Sequence, residues 1–271
     1  MGVPPAVYIH GTQRSEQARL AALNALTNPA FIEFLQVPPG ARVLEVGSGL
    51  GILAAAVAQA AAGVQVTGVE ISPEQLRAAV QAPGVEYRQG DAQRLPFPDG
   101  SFDLVYARFL LEHVGDPLEA LREMRRVARP GGRVAVMEND ISTCRFDPPC
   151  PTFDEVWGAF ARLQGTLGGD AFIGRRLFRL LRDAGFTGVT LSLQPELHWS
   201  GSPGFAPWVH NTIGNIAGAR EALVSGQHCT AAALDAAIAE LTALLSHPGA
   251  SSSFAWNRAV SAIQRPATAS K

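Results

Sequence analysis

Between positions 45 and 91 lie residues whose types and spacing could hold a nucleoside. Gly47-Ser48-Gly49-Leu50-Gly51 is a glycine turn directly after the apolar run Val43-Leu44-Glu45-Val46. Glycines there let the backbone pass close under a ligand, with a helix N-terminus behind it. The spacing is G-x-G-x-G. A dinucleotide fingerprint would want its third glycine at position 52, which is Ile52. Glu70 closes a second apolar run, where a carboxylate can accept hydrogen bonds from both ribose hydroxyls. Asp91 closes a third and can accept from an exocyclic amine. With Glu45 just before the turn, the set suits an adenosine and requires no pyrophosphate.

These residues need strand ends to present them. Arg42–Val46, Gln65–Glu70, Val85–Gln89, Phe102–Ala107 and Arg133–Glu138 read as strands. Helices are expected between them. One is alanine-rich, at about 52 to 61. Another is announced by Ser72 as cap, Pro73 as first residue and Gln75 as capping-box partner. A third opens at Asp116-Pro117 with Glu119, runs to about 128, and is stopped by Pro130-Gly131-Gly132. This alternation predicts an α/β fold: a Rossmann-like, mostly parallel sheet with helices on both faces. Ligands in such sheets bind outside the carboxyl ends of the strands, where all three acidic residues lie. The second half is less regular. Helices are expected at 152 to 164, 171 to 184 and, two or three of them, within 203 to 246. Strands are expected at Val189–Leu193 and Phe254–Ile263.

Composition narrows the chemistry. The 271 residues are 47% hydrophobic and 17% charged, with a net charge of −2. That is an ordered globular chain with no global footprint for nucleic acid or an acidic membrane. Lys271 is the only lysine, so a P-loop and pyridoxal-phosphate chemistry are both excluded. Cys144, Cys150 and Cys229 form no disulfide framework and no CxxC pair, as expected of free thiols in the cytoplasm. No signal peptide and no membrane-spanning run is visible, and no His, Cys, Asp or Glu spacing suits a metal.

Five motifs in order resemble one family. Val43 to Gly51 is similar to motif I of class I S-adenosylmethionine-dependent methyltransferases, and Val69-Glu70-Ile71-Ser72 to their acidic loop. Gly90-Asp91-Ala92 with Leu95-Pro96-Phe97, then Phe102-Asp103 with Leu111-Glu112-His113, then Arg129-Pro130-Gly131-Gly132 resemble the ubiquinone/menaquinone-biosynthesis, small-molecule type. The close resemblance covers about residues 40 to 140. It implies S-adenosylmethionine as cofactor, with S-adenosylhomocysteine as product. It also implies that Gly47, Gly49 and Gly51 line the methionine and ribose, and that Glu45 lies near the amino group. Glu70 would hold the ribose, Ile71 would pack on adenine, and Asp91 with Ala92 would read its edge. Arg108 and His113 would lie near the methionyl end or the acceptor. Residues 1–39 resemble lead-in helices, with Tyr8 and Arg19 as a lid over the cofactor. Residues 40–271 would form the main domain, with cap insertions at about 141–170 and 197–252.

Methyl transfer from a sulfonium is an in-line displacement that mainly asks for alignment and dryness. Catalytic candidates therefore rest on position: His113 after the fourth strand, Asp140 closing the fifth, and Tyr8. The acceptor pocket is expected from Trp157, His198, Trp199, Trp208, His210 and Asn211 in the cap, whereas Trp256 reads as part of the last strand. Asp147-Pro148-Pro149-Cys150 is similar to a box of base-methylating enzymes. It follows the fifth strand instead of the fourth and ends without an aromatic residue, so it reads as a stiff loop. The expected partner is a small molecule with an aromatic or apolar body, methylated on O, N or C, without nucleic acid or membrane. A non-enzymatic cofactor-binding regulator and an NAD-dependent oxidoreductase are the alternatives.

Overall fold

The computed structural model describes residues 14–264. Tyr8 therefore lies outside the described residues. The sheet runs β3 (Val85–Gln89), β2 (Gln65–Glu70), β1 (Arg42–Val46), β4 (Phe102–Arg108), β5 (Ala128–Glu138), β8 (Ser251–Ala262). The first five strands are parallel, and β8 is antiparallel to β5. β6 (Arg145–Asp147) and β7 (Val189–Trp199) pair antiparallel with β8. The strand order reverses direction between β1 and β4. A crevice opens there at the carboxyl ends, and that is where the glycine turn sits.

Strand alternation sends side chains into two cores. Val43, Val66, Leu104, Tyr106, Ala135 and Met137 meet one helical layer. That layer holds α1 (Arg14–Leu35), α2 (Ile52–Ala58), α5 (Pro151–Thr166), α7 (Phe205–Gly218), α8 (Arg220–Ser225) and α9 (Ala231–Leu244). Leu44, Val46, Val105, Ala107, Val134 and Val136 meet α4 (Pro117–Val127) and α6 (Leu177–Asp183) on the other face. The short α3 (Pro73–Ala78) lies beside β2 and β3. Its cap is the expected one, with Ser72 accepting from the Gln75 N–H, and Asp116 likewise accepts from the Glu119 N–H in α4.

Several boundaries differ from the sequence expectation. β5 begins at Ala128, because the Pro130-Gly131-Gly132 stretch is an irregular part of the strand with a register shift against β4. The helix expected over 171–184 is regular only in α6. Before it, Gly174 donates to the Asn139 carbonyl (2.7 Å), and a Cβ there would meet that oxygen at 2.6 Å. Docking under the end of β5 thus uses up the first turn as 3-10 helix. The cap segment expected over 197–252 is helical only between Phe205 and Leu244, because β7 extends to Trp199 and β8 starts at Ser251.

Candidate active site

The carboxyl ends of β1, β2, β4 and β5 open into one continuous cavity of about 570 Å³. Its first end is built from backbone and carboxylates. Gly47, Gly49 and Gly51 have φ of +75°, +52° and +69°, the left-handed region that glycine adopts without strain. Gly47 and Ser48 donate to the Val69 carbonyl at 2.8 and 2.9 Å, tying the turn to β2. Glu70 accepts from the Gly49 and Ser72 N–H groups, both at 2.9 Å, so one carboxylate bridges the turn and the next loop. Asp91 accepts from the Gln93 N–H at 2.8 Å, and Ala92 and the exposed Ile71 complete this wall. Gly47 and Gly49 line the cavity, whereas the wall passes from Leu50 to Ile52 and skips Gly51. A Cβ at Gly51 would come within 2.0 Å of the Tyr87 hydroxyl. This third glycine is required by packing against β3, a correction to its expected place at the ligand.

Glu45 lies buried on the cavity floor, and its Oε2 has no hydrogen-bond partner. Burial pushes its carboxyl up to about 8, against the opposing pull of the Arg108 cation. Arg108 also lines the cavity, and burial lowers its own value to about 10. Its guanidinium donates to Asn24 (2.6 Å) and Thr27 (3.0 Å) of α1 and lies over Phe31 and Phe109. Arg19, also on α1, donates to Asn211 of α7 (2.7 Å), and both line the cavity. The two arginines thereby fasten α1 along the cavity wall.

A polar cluster stands where the β4 and β5 loops meet the cap. Buried Glu112 accepts from Asn139 Nδ2 and from Gln164 Nε2 (3.0 Å), and its Oε1 lies 3.7 Å from His113 Nε2. All four line the cavity. Beneath them Glu138 accepts from the Leu110 and Leu111 N–H groups at 3.1 and 2.8 Å. Burial, and then the neighbouring Glu112 carboxylate, hold Glu138 far above the ordinary carboxylate range. Beyond the cluster the cavity turns aromatic. Trp157 and Phe160 stack with ring centroids 5.2 Å apart, and Trp208, Phe254 and Trp256 pack together on the far side.

Residues 44–136 match the family model described as a methyltransferase domain. The chain carries a class I S-adenosylmethionine-dependent methyltransferase domain. Over that stretch it is similar to the ubiquinone/menaquinone-biosynthesis type. A demethylmenaquinone methyltransferase from Beutenbergia cavernae is 37% identical over 139 residues, covering 51% of this chain and 55% of that protein. The O-methyltransferase resE of Aspergillus sclerotiorum is 37% identical over 154 residues, covering 54% and 55%. Among solved structures, the YcgJ protein of Bacillus subtilis superposes with a TM-score of 0.57 at 20% identity, covering 88% of this chain and 98% of that one. It shares the fold. The chain spans about half the length of the curated relatives it matches.

S-adenosylmethionine is the cofactor of this methyltransferase domain, and the residues present fit it. A buried carboxylate oxygen without a partner at Glu45 suits an ammonium group. The open approach at Gly49, where only the flexible end of Gln75 stands at 3.0 Å, suits a ligand passing close over the backbone. Glu70 and Asp91 present carboxylates for hydroxyl and amine donors.

Of the acceptor residues expected from sequence, Trp157, Trp208 and Asn211 line the cavity and three others do not. His198 and Trp199 belong to β7. His198 turns inward behind Trp208, their ring centroids 5.6 Å apart, while Trp199 is 60% exposed on the opposite face. His210 is on the exposed side of α7, since Trp208, Asn211 and Thr212 take its buried side. Asp140 also leaves the site. It caps the turn at Ser142 and forms a two-point ion pair with Arg175, both contacts 2.7 Å. Burial works against its charge, but the Arg175 and Ser142 hydrogen bonds prevail and hold its carboxyl below the ordinary value. It is a structural anion, not a base facing the methyl.

Residues that sequence reasoning passed over are Glu112, Phe160, Gln164, Phe254 and Trp256. Two signals could have found most of them. Positions 157, 160 and 164 follow helical spacing on one face of α5, and 254 and 256 alternate onto one face of β8.

Proposed function

We propose that this chain transfers the methyl group of S-adenosylmethionine to a small molecule with a planar aromatic or apolar body, on oxygen. One observation carries this reading. The cavity that begins at the glycine turn continues into an end walled by Trp157, Phe160, Trp208, Phe254 and Trp256. Cofactor-end and acceptor-end residues therefore share one space of a size usual for small-molecule sites. The naming of resE as an O-methyltransferase supports an oxygen acceptor, and the demethylmenaquinone relatives support a quinone-like body.

When bound, the cofactor supplies an electrophilic methyl on a sulfonium. The chain's own residues then have three tasks. The Arg108–Asn24–Thr27 and Arg19–Asn211 contacts hold α1 over the cofactor end and exclude water, the lid role given to the lead-in segment. The aromatic walls orient the acceptor ring by stacking. His113 takes the hydroxyl proton, and the Glu112 carboxylate, 3.7 Å from its Nε2, positions and charge-stabilises the imidazole while Asn139 and Gln164 hold that carboxylate. Cytoplasmic location is part of the same proposal. Among the described residues no helix is long and apolar enough to cross a membrane, and all three cysteines are free.

The test is incubation with methyl-labelled S-adenosylmethionine and a panel of phenols, hydroquinones, aromatic amines and apolar alcohols. Label in a hydroxylated aromatic is the expected result. Tight binding of S-adenosylhomocysteine with no label in any acceptor or in a host metabolite extract would favour a binding-only regulator.

A further inference from the structure

β7 is built the wrong way round for a strand at a solvent edge. Its inward row is polar, and the middle of that row is buried. Gln194 and Glu196 are both buried, Gln194 donates to Glu196 (2.9 Å), and Glu196 accepts from Trp256 Nε1 (3.0 Å). Its outward row is Val189, Leu191, Leu193, Pro195, Leu197 and Trp199. Within it Leu191, Leu193, Leu197 and Trp199 are 51%, 58%, 61% and 60% exposed, and Pro195 is exposed too. An edge sheet with one wet face normally shows the opposite pattern. The same face of β8 continues the surface with Ser251, Ser253 and Ala255, opposite Trp199, Leu197 and Pro195 in register, whereas Asn257 and the buried Ala259 lie under Gly174 and α6. No charged side chain stands in either row. Helix cover reaches only the start of this face, where α6 packs on β7 and β8.

We infer that this face is the contact surface for a second copy of the chain. Three observations select that occupant. The exposed side chains amount to about 500 Å² of contiguous apolar surface, at the upper end for a monomer and, with its rim, near the ~800 Å² per partner of a standard interface. Its two strand rows carry no charge, and the charges that flank them on β6, Arg145 and Asp147, are opposite in sign, so two identical copies meet across a two-fold axis without net like-charge repulsion. An added strand is disfavoured at its centre. Ser200 donates to Ala250 (2.8 Å), so the even-numbered residues of this stretch turn their backbone toward β8. Ala255, opposite Pro195, gives its N–H and C=O to Thr143 instead. Pro195 therefore sets its nitrogen, which has no hydrogen to donate, on the free edge. The contact is face to face. An anionic lipid surface would want a basic rim, but Arg175 and Arg176 before α6 are already paired with Asp140 and Asp170.

The test is the solution mass of the full chain by sedimentation equilibrium between about 1 and 100 µM. A dimer is expected. Leu193→Glu with Leu197→Glu should weaken it at least 30-fold while leaving the far-UV spectrum and thermal midpoint in place, because both side chains are exposed. Val80→Glu, an exposed apolar position on another surface, should leave the dimer intact. A wild-type chain that stays monomeric to 100 µM overturns the inference, whether or not it pellets with anionic vesicles. So does a dimer indifferent to the double substitution.

Discussion

The two ends of the cavity are built by different means. The cofactor end lies within residues 45–91 and is made of backbone N–H groups, the turn glycines Gly47 and Gly49 and the carboxylates Glu45, Glu70 and Asp91. The acceptor end collects Phe109, Trp157, Trp208, Phe254 and Trp256 from a loop, two helices and a strand spread over 148 positions of sequence. The first end is built from geometry that short segments can specify. The second gains its shape only when distant elements pack. The lesson is that one half of such a site should tolerate side-chain change poorly and specifically, while the other should trade one acceptor for another.

The largest expected break is at the turn. Gly51→Val places a branched side chain at φ +69° where a Cβ alone meets the Tyr87 hydroxyl at 2.0 Å. It should cost about 3–4 kcal/mol of stability, read from urea unfolding, with cofactor affinity falling alongside.

Glu45 should give opposite pH slopes for stability and for binding. Its carboxyl titrates near 8 in the folded chain against an ordinary 4.5. The folded state therefore holds the proton more tightly. The associated stability is complete below about 4.5 and is lost as pH rises through about 8, a change of a few kcal/mol. Cofactor affinity should climb over the same window, because an ammonium ligand favours the ionised carboxylate. Glu45→Gln should flatten both slopes, in unfolding and in calorimetric titration with S-adenosylhomocysteine.

Glu70→Ala should weaken S-adenosylhomocysteine binding by about 30-fold, near 2 kcal/mol, since two backbone N–H groups and the ligand lose one charged acceptor. The far aromatic end should be unmoved, so tryptophan fluorescence should match wild type. The smallest effect tests the other end. Trp157→Leu should raise acceptor KM about tenfold, near 1.4 kcal/mol, with cofactor affinity within twofold. A comparable loss of cofactor affinity would show that the two ends are not separable.

Legibility followed the same division. The glycine turn, Glu70, Asp91 and the helix caps at Ser72 and Asp116 could be read directly, because each is a local pattern whose physics involves residues within a few positions. His198, Trp199 and His210 were expected in the pocket by residue type, yet strand parity and helix facing send them elsewhere. Asp140 has the position of a base, but Arg175, 35 residues on, takes both carboxylate oxygens. Trp256 reads as an ordinary strand residue until the antiparallel β8 and the cap helices place it against Trp208.

Sequence by itself determined the parallel sheet, the cofactor end and the exclusion of lysine chemistry, since these depend on periodicity, glycine conformation and composition. Tertiary structure alone decided which aromatics face the cavity, that Gly51 serves Tyr87, that Glu112 is clasped by Asn139 and Gln164, and that β7 turns its apolar row outward. The physical reason is range. Backbone geometry is settled between near neighbours, whereas burial and facing are settled by whichever remote surface arrives to cover a side chain.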